Sequence, residues 1–421
     1  MKKLFFLSLT IAALTSCNNE NQSAKPDVVA QNLDTTVRPE QDFFQYANGG
    51  WIKNNPIPEE QSSWGIGNLV IEENMKRLRD ICEKAAKAND KSGSVQQQIG
   101  DFWITGMDSS SIEKNGLQPI KPMLDKIQAL QNVNSMIQLV AELKKIGSST
   151  LFSDNVSQDA KNSEVMAYQL NQGGLGLPER EYYFKEDSTT VNIRNEYVKY
   201  ITKLLTMSGQ KEADAQIAAS HILQLETKLA KASRKIEDLR DPYKNYNKIA
   251  LNDLGKMASV INWTDYLPAI GVSKADSVIV GQPEFFKELN TQLTATPLAD
   301  WKSYLTFNLI SDMAGVLPDA YGIEAFNFNK LFSGAKVRKP RWKRIIQMEE
   351  NAMGEMMGKL YVKEFFTEKA KKRYSDMVEN IRGALHERIT HLTWMSDSTK
   401  QKALAKLAAI QKKVGYPRSE E

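Results

Sequence analysis

Apolar positions recur at intervals of three and four through most of the chain, the spacing of a helix with one buried face. Over 68–88, Leu69, Met75, Leu78, Ile81 and Ala85 make one such face. The same period predicts helices over 95–107, 119–130, 135–146, 190–207, 210–236, 251–258, 282–294, 298–316, 319–333, 341–366, 368–395 and 397–414. An earlier helix is expected to stop at Asn48-Gly49-Gly50, with Phe43, Phe44, Tyr46 and Trp51 as a dense aromatic anchor. The period changes near 151. Residues 151–158 and 164–171 alternate apolar and polar and predict two strands, with Asp159-Ala160-Lys161-Asn162 as the turn between them. Val278 to Val280 reads as a short further strand. No regular repeat is present, which argues against a solenoid. The pattern gives a mainly α fold, one large multi-helix domain carrying a small β-hairpin.

The N-terminus has a different pattern. Lys2 and Lys3 precede the apolar run Leu4 to Leu14, which is too short for a permanent membrane helix. Cys17 closes the Leu14-Thr15-Ser16-Cys17 stretch and resembles the lipidated cysteine of a bacterial lipobox; an ordinary signal peptide is the alternative. This predicts a lipoprotein signal peptide over 1–16, lipidation at Cys17, a polar flexible tether over 17–38 and the folded domain over 39–417. The expected location is exported and lipid-anchored to the bacterial membrane, facing periplasm or cell surface. Cys82 is then left without an internal disulfide partner. Lying beside Ile81 in a helical pattern, it predicts a small buried residue rather than a nucleophile.

The balance of 55 basic and 51 acidic residues gives a net charge of +4, with no basic block interleaved with aromatics, so no nucleic-acid surface is expected. The one basic cluster, Arg338 to Arg344, reads as the solvated start of a helix, with an anion site as the alternative. Three histidines are present, His221, His386 and His391. His386-Glu387 and His391 approach the zinc signature H-E-x-x-H, but five residues separate the imidazoles instead of four. On a helix they then diverge by roughly 140° and cannot share one ion. Leu385, Ile389, Leu392 and Met395 account for the segment as a core-facing stripe. The glycine-rich stretch from Gly173 matches neither G-x-G-x-x-G nor a Walker pattern. It predicts backbone brought close to a neighbouring element, with Tyr182, Tyr183 and Phe184 packing behind. Gly174, Leu175, Gly176, Leu177, Pro178, Arg180, Tyr182 and Tyr183 are therefore candidates for a substrate-cavity or packing loop. From the residues alone, no catalytic and no metal-binding residue is assigned.

Five stretches in register resemble the N-terminal half of the neprilysin and endothelin-converting-enzyme family of zinc metallopeptidases. They are Asp42 to Trp51 with Ile57-Pro58, Gly174 to Tyr183, Arg240 to Asn247, Met353 to Val362, and Leu392 to Met395 with Thr399-Lys400 and Gly415 to Pro417. The resemblance spans about residues 39–417. It implies a helical cap domain over a zinc-binding catalytic domain, and an exported endopeptidase that cuts small oligopeptides. It also implies zinc held by H-E-x-x-H and a downstream glutamate, none of which is on this chain. The expected partners are a missing C-terminal catalytic domain, small peptides, and the membrane through the lipid anchor; alone, the chain is expected to be inactive. The alternative is a non-catalytic helical lipoprotein that binds peptides or glycans.

Overall fold

The computed structural model describes residues 27–417 except 89 and 149, so the signal-peptide segment and Cys17 lie outside the described residues. The chain divides into two compact units, 1–70 and 71–421, a division that falls inside the stretch read as one domain.

In the first unit, Asp27 caps α1 (Val28–Asn32) by accepting from the Val29 and Ala30 amides, and Asp42 caps α2 (Phe43–Asn54) by accepting from Gln45 N. The expected stop at Gly49-Gly50 does not occur; α2 runs through it. A Cβ at Gly50 would lie 2.9 Å from the carbonyl oxygens of Gln31 and Leu33, and one at Gly49 2.6 Å from Asp34 Cβ. Gly50 makes room for a crossing backbone and Gly49 for the Asp34 side chain, rather than ending a helix. Residues 27–38 are accordingly not a loose tether: Asp34 N donates to Tyr46 O at 2.8 Å, and Gln45 Nε2 donates to the Asp34 carboxylate at 3.1 Å. Phe43 and Phe44 are 69% and 67% exposed, so they do not form the buried anchor expected of them.

The helices that follow are α3 (Ile66–Lys87), α4 (Val95–Met107), α5 (Ser109–Asn115), α6 (Lys121–Ala129) and α7 (Val133–Lys145). The hairpin β1 (Ser153–Asp159) and β2 (Asn162–Asn171) comes next. Then come α8 (Ser188–Met207), α9 (Glu212–Ala232), α10 (Ile236–Leu239), β3 (Asn247–Ala250), α11 (Leu254–Met257), α12 (Trp263–Ala269) and β4 (Ser277–Val280). The chain continues through α13 (Pro283–Ala295), α14 (Leu298–Met313), α15 (Asp319–Ser333), α16 (Arg341–Phe365), α17 (Glu368–Thr390) and α18 (Asp397–Ala409). The mainly α expectation holds. The hairpin, however, is half of a four-stranded mixed sheet ordered β1-β2-β4-β3, in which β2 and β4 run parallel with Tyr168 opposite Val278 and Leu170 opposite Val280. Tyr168, Leu170, Val278 and Val280 carry the sheet's apolar contribution to the core.

Two separate cores are buried. The larger gathers α6 to α9, α11 to α15 and the sheet, and is rich in aromatics: Phe152, Tyr197, Tyr266, Phe285, Phe286, Trp301, Tyr304 and Phe307 are all fully enclosed. The smaller joins Cys82 and Ala85 of α3, Ile99 and Trp103 of α4, and Ile345, Ile346 and Met357 of α16; Met75, Met107, Met348, Met353 and Met356 pack around it. Cys82 is buried, as its helical context predicts. Within α16 the backbone leaves helical geometry at Met353, with φ −138° and ψ 32°. No residue of α17 is buried, and Tyr374, Met377, Ile381 and Leu385, spaced three and four apart, are 44–60% exposed. Of the stripe expected to face the core, Leu385 is exposed while Ile389, Leu392 and Met395 are half-buried.

Candidate functional site

Gly173 to Pro178 leave β2 and press against three elements. A Cβ on Gly173 would stand 2.6 Å from Ser153 N, and one on Gly174, at φ +70°, 2.6 Å from Leu151 O. Gly174 O accepts from the Tyr304 hydroxyl of α14 at 2.9 Å, and that hydroxyl accepts from Leu151 N at 3.4 Å. A Cβ on Gly176 would overlap the Tyr197 hydroxyl of α8. The glycines here serve close approach, as their spacing predicts.

Behind the loop lies a polar centre that the sequence did not single out. Glu226 of α9 is fully buried and accepts from the Tyr183 hydroxyl at 2.7 Å, from the Tyr197 hydroxyl at 2.9 Å and from the Gly176 backbone. Tyr183 in turn accepts from Leu177 N at 3.1 Å. Among the described residues no cation pairs with this carboxylate. Burial pushes its pKa up to about 7, against the pull of its three donors, and the same burial, with Glu226 beside them, raises the Tyr183 and Tyr197 hydroxyls. The one sequence signal was position: Glu226 interrupts the apolar stripe Ile222, Leu225, Leu229 on α9.

On the outer side, Leu175, Gly176, Leu177 and Pro178 face Phe328 and Phe332 of α15 across a groove of about 520 Å³. Tyr182 packs edge-on to Phe332 with ring centres 5.6 Å apart. Arg180 turns away from the groove: its Nη1 donates to Ser233 O at 2.9 Å, and its guanidinium lies over Phe184. The candidate residues thus sort by place. Leu175 and Pro178 wall the groove, Tyr182 braces its far side, Gly174, Gly176 and Tyr183 belong to the buried network, and Arg180 ties the loop to the end of α9. The groove is walled mainly by apolar side chains, with Asn329 and Ser333 completing its lining, and Glu226 is enclosed behind the loop.

His386 and His391 are exposed on and at the end of α17, and His391 Nδ1 lies 2.8 Å from Glu387 O. Among the described residues no group of three or more His, Cys, Asp or Glu is placed to hold a metal. His221 sits at the surface against Asp300, 2.8 Å away. The basic cluster departs from expectation. Lys343 is buried with Nζ 2.6 Å from Glu72, Arg341 Nε donates to Gly106 O at 2.8 Å, and Arg338 pairs with Asp319 at 2.5 Å. Burial, then the neighbouring Arg338 and Arg341, lower Arg344 to about 10. These side chains tie α3, α4, α15 and α16 together rather than reaching into solvent. No described helix is long and apolar enough to cross a membrane.

Residues 39–417 match the family model of Peptidase family M13. The chain belongs to that family. It is 28% identical to rat (Rattus norvegicus) endothelin-converting enzyme 1 over 403 residues, covering 92% of this chain and 52% of the relative. It is 28% identical to neprilysin-3 of Drosophila melanogaster, covering 95% and 53%. The chain therefore spans about half the length of the curated relatives it matches. Among solved structures, the inhibitor complex of Mycobacterium tuberculosis zinc metalloprotease Zmp1 superimposes with a TM-score of 0.83 at 29% identity, over 90% of this chain and 57% of that one. PepO from Lactobacillus rhamnosis superimposes at 0.81 with 19% identity, a likeness of fold. Membership of this zinc metallopeptidase family bears out the resemblance read from the five motifs.

Proposed function

We propose that this M13 chain is the helical, non-catalytic portion of a zinc metalloendopeptidase that cuts small oligopeptides, and that it caps the active-site cavity. Its expected setting is exported, held to the membrane through a lipid on Cys17. The observation that carries this reading is the pairing of a family match over 39–417, about half a relative's length, with an uncovered apolar stripe on α17. Tyr374, Met377, Ile381 and Leu385 line one helix face, and Trp394 just beyond is 75% exposed. A contiguous apolar face of this kind marks an interaction surface. Its occupant in this reading is a zinc-bearing catalytic portion. Zinc there would activate a water and polarise the scissile carbonyl. This chain's part is to close the cavity and to exclude folded proteins from it.

The test is complementation. Alone, the chain should leave an internally quenched oligopeptide uncut. Mixed with a separately produced M13 catalytic portion, it should raise chelator-sensitive cleavage at least about tenfold, and Met377→Glu with Ile381→Glu should abolish that gain. Cleavage by the chain alone, or a gain untouched by the double variant, would overturn the reading. Intact mass of the mature protein lacking acyl groups would remove the anchor.

A further inference from the structure

The smaller core holds a group of side chains that neither the fold nor the peptidase reading uses. Cys82 Sγ lies 3.4 Å from Glu349 Oε2 and 3.9 Å from Met357 Sδ. Glu349 is wholly enclosed, and its other oxygen, Oε1, has no hydrogen-bond partner. A buried carboxylate with a bare oxygen, facing a thiol and a thioether, is an unusual interior, because an unmet acceptor in an apolar site is costly. The surrounding side chains add further sulfur: Met75, Met348, Met353 and Met356 are partly buried against the same cluster.

We infer that Cys82, Met357 and Glu349 form a binding site for a soft monovalent cation, Cu(I) or Ag(I). Thiolate and thioether ligands select such ions over hard ones. The spacing suits them. Two sulfurs each about 2.3 Å from a metal, at about 120°, stand about 4.0 Å apart, and a sulfur and an oxygen at about 2.3 and 2.1 Å, near 100°, stand about 3.4 Å apart. The thiol and thioether are separated by 3.9 Å and the thiol and carboxylate by 3.4 Å, so the two edges that meet at Cys82 already have the length of a three-coordinate site. Binding replaces the Cys82 proton, which leaves to solvent, with the cation. The thiolate and the monovalent ion are together neutral, and the exchange adds no net charge to the core. A structural zinc site asks for four ligands, usually Cys and His, and this set is one short and carries a thioether. α16 breaks helical geometry at Met353, between the two ligands it carries, Glu349 and Met357.

The test titrates the full chain anaerobically with Cu(I) against a chromogenic chelator and counts bound ions by native mass spectrometry. Because Cys17 is the chain's other cysteine, a Cys17→Ser background isolates the core site. That protein should bind one Cu(I). Adding Cys82→Ser should weaken binding at least about a hundredfold. Adding Met357→Leu or Glu349→Gln should each weaken it about tenfold with unchanged circular dichroism. Ag(I) should compete, and excess Zn(II) should not. Absence of stoichiometric Cu(I) on the Cys17→Ser chain would overturn the proposal. So would undiminished affinity in Met357→Leu, which keeps the side-chain volume and decides the matter even where Cys82→Ser fails to fold.

Discussion

Each of the two cores buries one glutamate, and the two are treated differently. Glu226 in the aromatic core receives three donors, drawn from the Gly176 loop, the turn holding Tyr183, and α8. Glu349 in the sulfur-rich core receives one weak thiol donor on Oε2 and none on Oε1. Burial pushes both carboxyls to about 7. Burial thus sets the direction of the titration, while the number of partners sets what a substitution costs. The aromatic core is assembled around its carboxylate; the smaller core merely encloses one.

The largest expected effect separates the two directly. Glu226→Ala strands two tyrosine hydroxyls and a backbone amide and should cost about 3–5 kcal/mol in urea unfolding. Glu349→Met, of similar shape and amid methionines, should stay within about 1 kcal/mol of wild type in the absence of metal. Equal losses from both would erase the distinction.

The pH dependence comes next. A carboxyl raised to about 7 from an ordinary 4.5 is favourable while protonated, so its contribution is complete below about 4.5 and is lost as pH rises through about 7. Wild type should therefore be more stable at pH 5.5 than at pH 8.5, by of order 1–3 kcal/mol for each group, and Glu226→Gln with Glu349→Gln should flatten that slope. Stability that climbs toward pH 8.5 would count against both assignments. Asp159 works the other way: its donors Lys161 N, Lys248 and Tyr246 hold it at about 2, so its contribution is present above about pH 4 and fails only as pH falls toward 2.

The smallest effect is expected at His386 and His391, which touch neither core. Alanine at either position should move stability by less than about 0.5 kcal/mol in thermal melts.

Much of this architecture was readable from spacing alone. The long amphipathic helices, among them 95–107 and 319–333, fall where the three-and-four period puts them, because each buries a continuous face. The loop at Gly174 was readable as a close approach because Gly-Leu-Gly-Leu-Pro followed by two tyrosines needs space on one side and packing on the other. The rest depended on contacts distant in sequence. β3 has only four residues, and its pairing with β4 crosses about 30 residues of chain, so no local alternation announced it. Gly49 and Gly50 looked like a helix stop because the Asp34 side chain and the 31–33 backbone that need their missing side chains lie some 15–19 residues earlier. Glu226 was one acid among 51, and only its place on an apolar stripe marked it. The outward stripe of α17 is the reverse case: periodicity identifies an apolar face but not what covers it.

The parallel pairing of β2 with β4 also sets an order of events during synthesis. Leu170 must find Val280, 110 residues later in the chain. At about 5–20 residues per second, β4 leaves the ribosome roughly 5–20 s after β2. The β1–β2 hairpin can close within microseconds, and for those seconds its inner edge has no neighbour. An unpaired strand edge of that duration is open to other chains, so slowing translation between codons 171 and 277 should raise the aggregated fraction of newly made protein, and a chaperone that shields strand edges should lower it.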